Sequence, residues 1–152
     1  MAGGGPSGAG RDLMREARAE AALDWPRLRE AATAAAASAY APYSGLSVGA
    51  AAVCDDGRVV TGCNVENASY GLGVCAEVTL AGQLRLTGGG RLRALACRSA
   101  DGALLMPCGG CRQVLHEFGG PDCLVDTRGG PRPLSEMLPD AFGPGDLPAA
   151  PP

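Results

Sequence analysis

Four residues carry the chemistry this sequence offers: Cys75 and Glu77 in the stretch CAE, and Cys108 and Cys111 in PCGGC. The CxxC spacing sets two sulfurs one helical turn apart, and Cys75 opens a second helical pattern after a glycine-containing loop. Both helix starts can face one point. There, unpaired backbone N–H groups and the positive end of the helix dipole favour thiolate over thiol, and thiolate is the form that binds a metal. Three ligands is a catalytic count for zinc, because structural sites close with four and leave no place for water. Glu77 follows Cys75 in the same turn, so its carboxylate can reach a water at the fourth position without being a ligand. That is where a general base belongs, although a first-turn Glu also suits the helix dipole for structural reasons alone.

CxxC by itself fits two other uses. One is a structural zinc knuckle, with a fourth ligand from Cys97, Cys123 or His116; the other is a redox pair, whose thioredoxin-like context is missing. His116, the only histidine, stands more than a helical turn beyond Cys111 and reads as a surface or packing residue. Cys54, Cys63, Cys97 and Cys123 lie in or beside apolar strands and read as small buried hydrophobes.

The elements that must position these residues follow from periodicity and punctuation. Asp24 is placed to cap a helix with Pro26 in its first turn, running through LREAATAAAASAYA until APYSG stops it. SVGAAAVC, then DDG, then RVVTGC reads as a hairpin. CAEVTLAGQLRL has helical spacing, and TGGG ends it. LRALACRS and GALLM read as a third and a fourth strand, PCGGCRQVLHEF as a helix with Val114, Leu115 and Phe118 on one apolar face, and DCLVDT as a fifth strand. A short helix, LSEML, leads into a Pro-rich tail. This order implies an α/β fold: a three-layer α/β/α sandwich with a mixed five-stranded sheet. Residues 1–22 read as a flexible arm, with a helical turn or two in RDLMREARAEAAL, 23–148 as one domain, and 149–152 as a loose tail.

Composition narrows the function. With 46% hydrophobic but only 4% aromatic residues, the core must be built from Ala, Val and Leu, which bury little area each, so a partner subunit would help it. The net charge of −3 and scattered arginines give no footprint for a polynucleotide backbone and favour a small or neutral ligand. No apolar stretch approaches the roughly 20 residues that span a bilayer, and the Gly-rich start lacks the order of a signal peptide. Seven cysteines without an export signal imply reduced thiols and a soluble, cytoplasmic protein.

CAE followed by PCxxC is the signature of zinc deaminases, which act with three zinc ligands and a non-ligating Glu. With YSGLSVGAA, TGCNVENASYG, PCGGCRQVLHEF and LPDAFGPGDL in the same order and spacing, the chain resembles the small cytidine deaminases over about residues 24–148. The resemblance implies Zn2+ on Cys75, Cys108 and Cys111, Glu77 as proton shuttle, and hydrolytic deamination of cytidine and 2'-deoxycytidine in pyrimidine salvage. It implies that Asn64 and Glu66 hold the ribose hydroxyls, that the backbone of Ala76 and the carbonyl of Met106 contact the base, and that Tyr70 helps line the pocket. It also implies a homotetramer in which Phe142 reaches a neighbouring subunit's pyrimidine; within one chain Phe142 would instead plug the tail.

Two positions depart from the family pattern. Leu46 stands where Phe is usual, which removes an aromatic from the base pocket. Val78 stands where many three-cysteine members carry Arg. Three thiolates on Zn2+ leave a net charge of −1 and a weaker Lewis acid than a site with a neutral His, so compensation falls to the helix N-termini and to Arg112. Another cytosine nucleoside, such as a nucleoside antibiotic, is an alternative substrate that NVEN argues against. A structural zinc module would leave Glu77 idle and show a fourth protein ligand.

Overall fold

Asp24 caps the first helix as its place before Pro26 leads one to expect: its Oδ1 accepts the Arg27 N–H at 3.0 Å. The computed structural model describes residues 23–148; the arm expected over 1–22 and the tail over 149–152 lie outside the described residues. Helix α1 spans Trp25–Ala36 and buries Leu28, Ala32 and Ala36, spaced one turn apart along a single face. It stops short of the expected end at residue 41 because Tyr40 leaves the helix to pair with another segment. The Tyr40 N–H donates to Asn64 O and the Tyr40 carbonyl accepts from Glu66 N.

Strands β1 (Val48–Cys54) and β2 (Val59–Cys63) form the expected hairpin. Helix α2 (Ala76–Leu86) crosses to β3 (Leu92–Ser99), and helix α3 (Gly109–Gly119) crosses to β4 (Leu124–Thr127), which turns back into β5 (Gly130–Pro133). The sheet order is β2-β1-β3-β4-β5, with only the β3/β4 pair parallel. A mixed five-stranded sheet is therefore present, with one different member from the set read in the sequence. GALLM makes only an isolated bridge, Arg98↔Leu104, plus three backbone bonds to the end of β3. The fifth strand is GPRP, to which the sequence pattern assigns no element, because proline cannot donate to a ladder. It is tolerated since β5 lies at the sheet edge. DCLVDT becomes a strand only from Leu124, and LSEML is a single 3-10 turn, Leu134–Glu136.

The two faces of the sheet are packed differently. Against α1 lie alanines, Ala51, Ala94 and Ala96, with Leu28 and Ala32. On the other face, under α2 and α3, lie Leu80, Leu84, Leu95, Cys97, Leu115 and Val125. Two glycines set how closely the helices approach. A Cβ on Gly49 would lie 2.0 Å from the Ala32 carbonyl of α1, and one on Gly62 would lie 2.4 Å from the Ala76 carbonyl and 2.4 Å from the Leu80 nitrogen of α2. Thr79 Oγ1 adds a 2.7 Å bond to Cys63 O. The start of α2 is thus pinned beside the end of β2.

Candidate active site

Cys75 and Cys108 are the cap residues of α2 and α3, and Cys111 lies in the first turn of α3. Their sulfurs all lie within 4.8 Å of one another. A tetrahedral Zn2+ with bonds of about 2.3 Å needs sulfurs about 3.8 Å apart, so this spacing is close to what one ion requires. Among the described residues no fourth His, Cys or carboxylate joins that group, which is the count of a site that keeps a position open.

The electrostatics of the donor set also fit a divalent cation. The Cys111 N–H, 3.4 Å from Cys108 Sγ, holds the Cys108 thiol below its usual range. Burial pushes Cys75 and Cys111 up, and for Cys111 the Glu77 carboxylate adds to the rise. Three thiolates beside a carboxylate need positive charge among them, and a thiol coordinated to a metal ion ionises outright.

Glu77 is buried, on the first turn of α2. Its Oε2 accepts from Cys111 Sγ at 3.2 Å and its Oε1 from Cys97 Sγ at 3.5 Å. It borders a cavity of about 370 Å3 that also reaches Cys75 and Cys108. A carboxylate here can exchange a proton with a molecule in the cavity and stay beside the metal ligands.

Most of the residues read from the sequence meet at this cavity: Leu46, Asn64, Glu66, Ala76 and Met106 all line it. Asn64 also braces the wall, accepting the Val48 N–H at 2.8 Å and donating to Leu46 O at 2.9 Å. Glu66 Oε2 accepts the N–H groups of Tyr43 and Ser44 at 2.9 and 3.2 Å. The Ser44 side chain first, then the Tyr43 amide, holds the Glu66 carboxyl below its usual range. Tyr70 is not brought to this cavity. It lines an adjoining hollow with Tyr43, ring centroids 6.1 Å apart, in a short 3-10 turn. Among the described residues Phe142 is left 58% exposed, its carbonyl held by Gln113 Nε2 at 2.7 Å.

Arg112 does not take the role expected of it. Its Nε and Nη1 donate to the carbonyls of Pro107 and Met137 at 3.0 Å each, fixing the approach to α3 and leaving the sulfurs to the helix N-termini. Val78 is exposed, directed away from the core. Among the cavity residues that the sequence reading did not place there, two carry polar side chains, Ser44 and Cys97. A serine just before the glycine of a turn was a visible signal for the first. For Cys97, strand alternation gives a face but not the helix covering it.

Comparison with known proteins agrees with this geometry. The family described as the cytidine and deoxycytidylate deaminase zinc-binding region matches residues 26–127. A cytidine deaminase of Mycobacterium tuberculosis is 62% identical over 126 residues, covering 83% of this chain and 95% of that protein. The crystal structure of cytidine deaminase from Mycobacterium tuberculosis aligns with a TM-score of 0.78 at 62% identity, covering 80% of this chain and 98% of that one. For the Mycobacterium leprae structure the values are 0.76, 50%, 78% and 99%.

Proposed function

The chain belongs to the cytidine and deoxycytidylate deaminase family, and from that premise we propose that it hydrolyses cytidine and 2'-deoxycytidine to uridine and 2'-deoxyuridine with release of ammonia. The observation that carries this reading is the buried Glu77 carboxylate, 3.2 Å from one of three clustered sulfurs, at the edge of a cavity sized for a small molecule. The family makes the chain a zinc-dependent hydrolase of the cytidine deaminase type.

Cys75, Cys108 and Cys111 would hold the ion. Bound zinc would supply a lowered pKa for an attendant water, toward about 7. Glu77 takes a proton from the attacking water as its oxygen adds to C4 and passes that proton to N3 of the pyrimidine. It then takes the proton of the new C4 hydroxyl and gives it to the amino group. The C4–N bond breaks, ammonia leaves, and a C4 carbonyl remains. One carboxylate serves as base and then acid, a contribution worth roughly 10² to 10⁴ in rate.

The base would be oriented by backbone. The Ala76 N–H, at the first position of α2, has no acceptor within its own helix and can donate to the pyrimidine carbonyl, while the Met106 carbonyl accepts from the amino group. Asn64 and Glu66 would hold the ribose hydroxyls. Glu66 spends one oxygen on backbone amides, and a carboxylate has about four lone-pair sites, so it can accept a hydroxyl as well. A site built to bond those hydroxyls rejects a ligand lacking them, so free cytosine should be a poor substrate. Phe142, exposed and anchored through its carbonyl, would reach the pocket of a neighbouring copy in a homotetramer.

The test is to incubate the zinc-loaded protein with cytidine, deoxycytidine and cytosine while following pyrimidine absorbance and ammonia. Turnover of both nucleosides and little of the free base is expected. Zinc retained without turnover of any cytosine nucleoside would overturn the reading.

A further inference from the structure

Carboxylates that shuttle protons must present the same oxygen to each partner in turn, and the terminal torsion of a glutamate is broad, with no strong preference of its own. Something has to hold Glu77. On one side its Oε2 faces the sulfur cluster, 3.2 Å from Cys111 Sγ. On the other, Cys97 Sγ lies 3.5 Å from Oε1, a separation that suits the larger radius of a sulfur donor. Cys97 belongs to the central strand β3, is 1% exposed, and borders the same cavity.

We propose that Cys97 is a positioning residue for Glu77: its S–H donates to Oε1 and keeps Oε2 turned toward the metal ligands and the substrate. The inference rests on the reading of Glu77 as the proton carrier. Cys97 suits the task because its backbone is fixed twice over. Its carbonyl accepts from Arg98 Nη1 at 2.7 Å and from the Leu105 N–H at 3.2 Å, and Leu105 precedes the Met106 carbonyl assigned to the base. The side chain has a single heavy-atom torsion and sits among the packed residues under α2 and α3. Burial, followed by the nearby Glu77 charge, pushes the Cys97 thiol well above its usual range, so it remains a donor. A thiol is also a weak donor, which steers the carboxylate without removing much of its basicity.

The experiment compares zinc-loaded wild type with Cys97→Ala, Cys97→Ser and Glu77→Gln, measuring kcat, KM and zinc per chain with cytidine. Cys97→Ala should lose about three- to tenfold in kcat, the worth of one modest hydrogen bond, with KM changed less than about twofold and zinc retained. Cys97→Ser, which restores a donor, should recover most of that loss. Wild-type kcat in Cys97→Ala, or equal impairment of the Ala and Ser variants, would overturn the inference, the second outcome indicating packing alone. If Cys97→Ala fails to fold, the S–H stretching band of the zinc-loaded protein gives a second measurement. It should move to higher frequency in Glu77→Gln, whose amide is a weaker acceptor, and an unmoved band would overturn the proposal. Turnover by Glu77→Gln would sink the proton-carrier reading itself, whereas an inactive Glu77→Gln beside a fully active Cys97→Ala sinks only the role of Cys97.

Discussion

Two carboxylates among the described residues are buried, Glu77 and Asp126, and their surroundings are opposite. Asp126 is met by two arginines: Arg29 bonds both of its oxygens at 2.8 Å, and Arg98 Nη2 bonds Oδ2. Glu77 is met by two thiols. A buried charge without a cationic partner is costly unless something else compensates it, and three adjacent sulfurs suited to a divalent cation supply the reason. Two expectations follow from the contrast. Asp126→Ala should destabilise the protein by about 3 kcal/mol, the low end for breaking a buried ion pair, because the Arg29 side chain is 41% exposed. Denaturant unfolding measures it. Burial alone would raise the Asp126 carboxyl, but the bonds from Arg29 and Arg98 outweigh that and leave it lowered. Its stabilisation is therefore present above the unfolded value of about 3.9 and lost as pH falls through the lower folded one. In Asp126→Ala the acid limb of the stability curve below about pH 4 should accordingly be shallower. At this scale the sequence was legible where chemistry is local. Cys75 with Glu77, and Cys108 with Cys111, announce themselves within one helical turn. The Cys97 contact arises only when β3 is laid against α2, so it could not be read from spacing.

The elements that bring these residues together depend on close approach. Gly62 lets α2 lie against β2, and α2 carries both Cys75 at its cap and Glu77 in its first turn. A side chain at Gly62 would meet backbone on α2, which cannot step aside as a flexible side chain would. Gly62→Val is therefore expected to destabilise by about 1–3 kcal/mol, the usual cost of overpacking, and to weaken zinc retention as the α2 cap moves from Cys108. Normal zinc stoichiometry after dialysis against a chelator would argue that the cluster tolerates displacement of α2. Periodicity located the hairpin, both site helices and β3, because each has a buried face. It failed at GALLM, an apolar run that looks like a strand but is needed as the extended approach to PCGGC. It failed also at GPRP, where edge position overrides the local dislike of proline for a sheet. Arg112 illustrates a different limit: adjacency to Cys111 in sequence suggested a partner for sulfur, while the helix turned its guanidinium onto two carbonyls.

At the scale of the molecule, the described chain leaves Tyr40, Tyr43, Tyr70, Leu72 and Phe142 half or more exposed while its core on the α1 side is mostly alanine. The alanine packing is what the low aromatic content leads one to expect; the exposure of several of the few large apolar side chains is seen only in the structure. If the chain forms the proposed homotetramer, sedimentation equilibrium should give about four times the chain mass of 15.2 kDa. If Phe142 completes a neighbouring pocket, Phe142→Ala should lower kcat/KM roughly tenfold with zinc unchanged. Among the described residues no helix is long and apolar enough to cross a membrane. The claim on which the rest depends is that Glu77 moves the protons and the cysteines hold the metal. The most direct measurement is turnover of cytidine by zinc-loaded Glu77→Gln, with metal content determined on the same sample. Full zinc occupancy with kcat reduced by about 10² or more is expected; full occupancy with near wild-type kcat would contradict it.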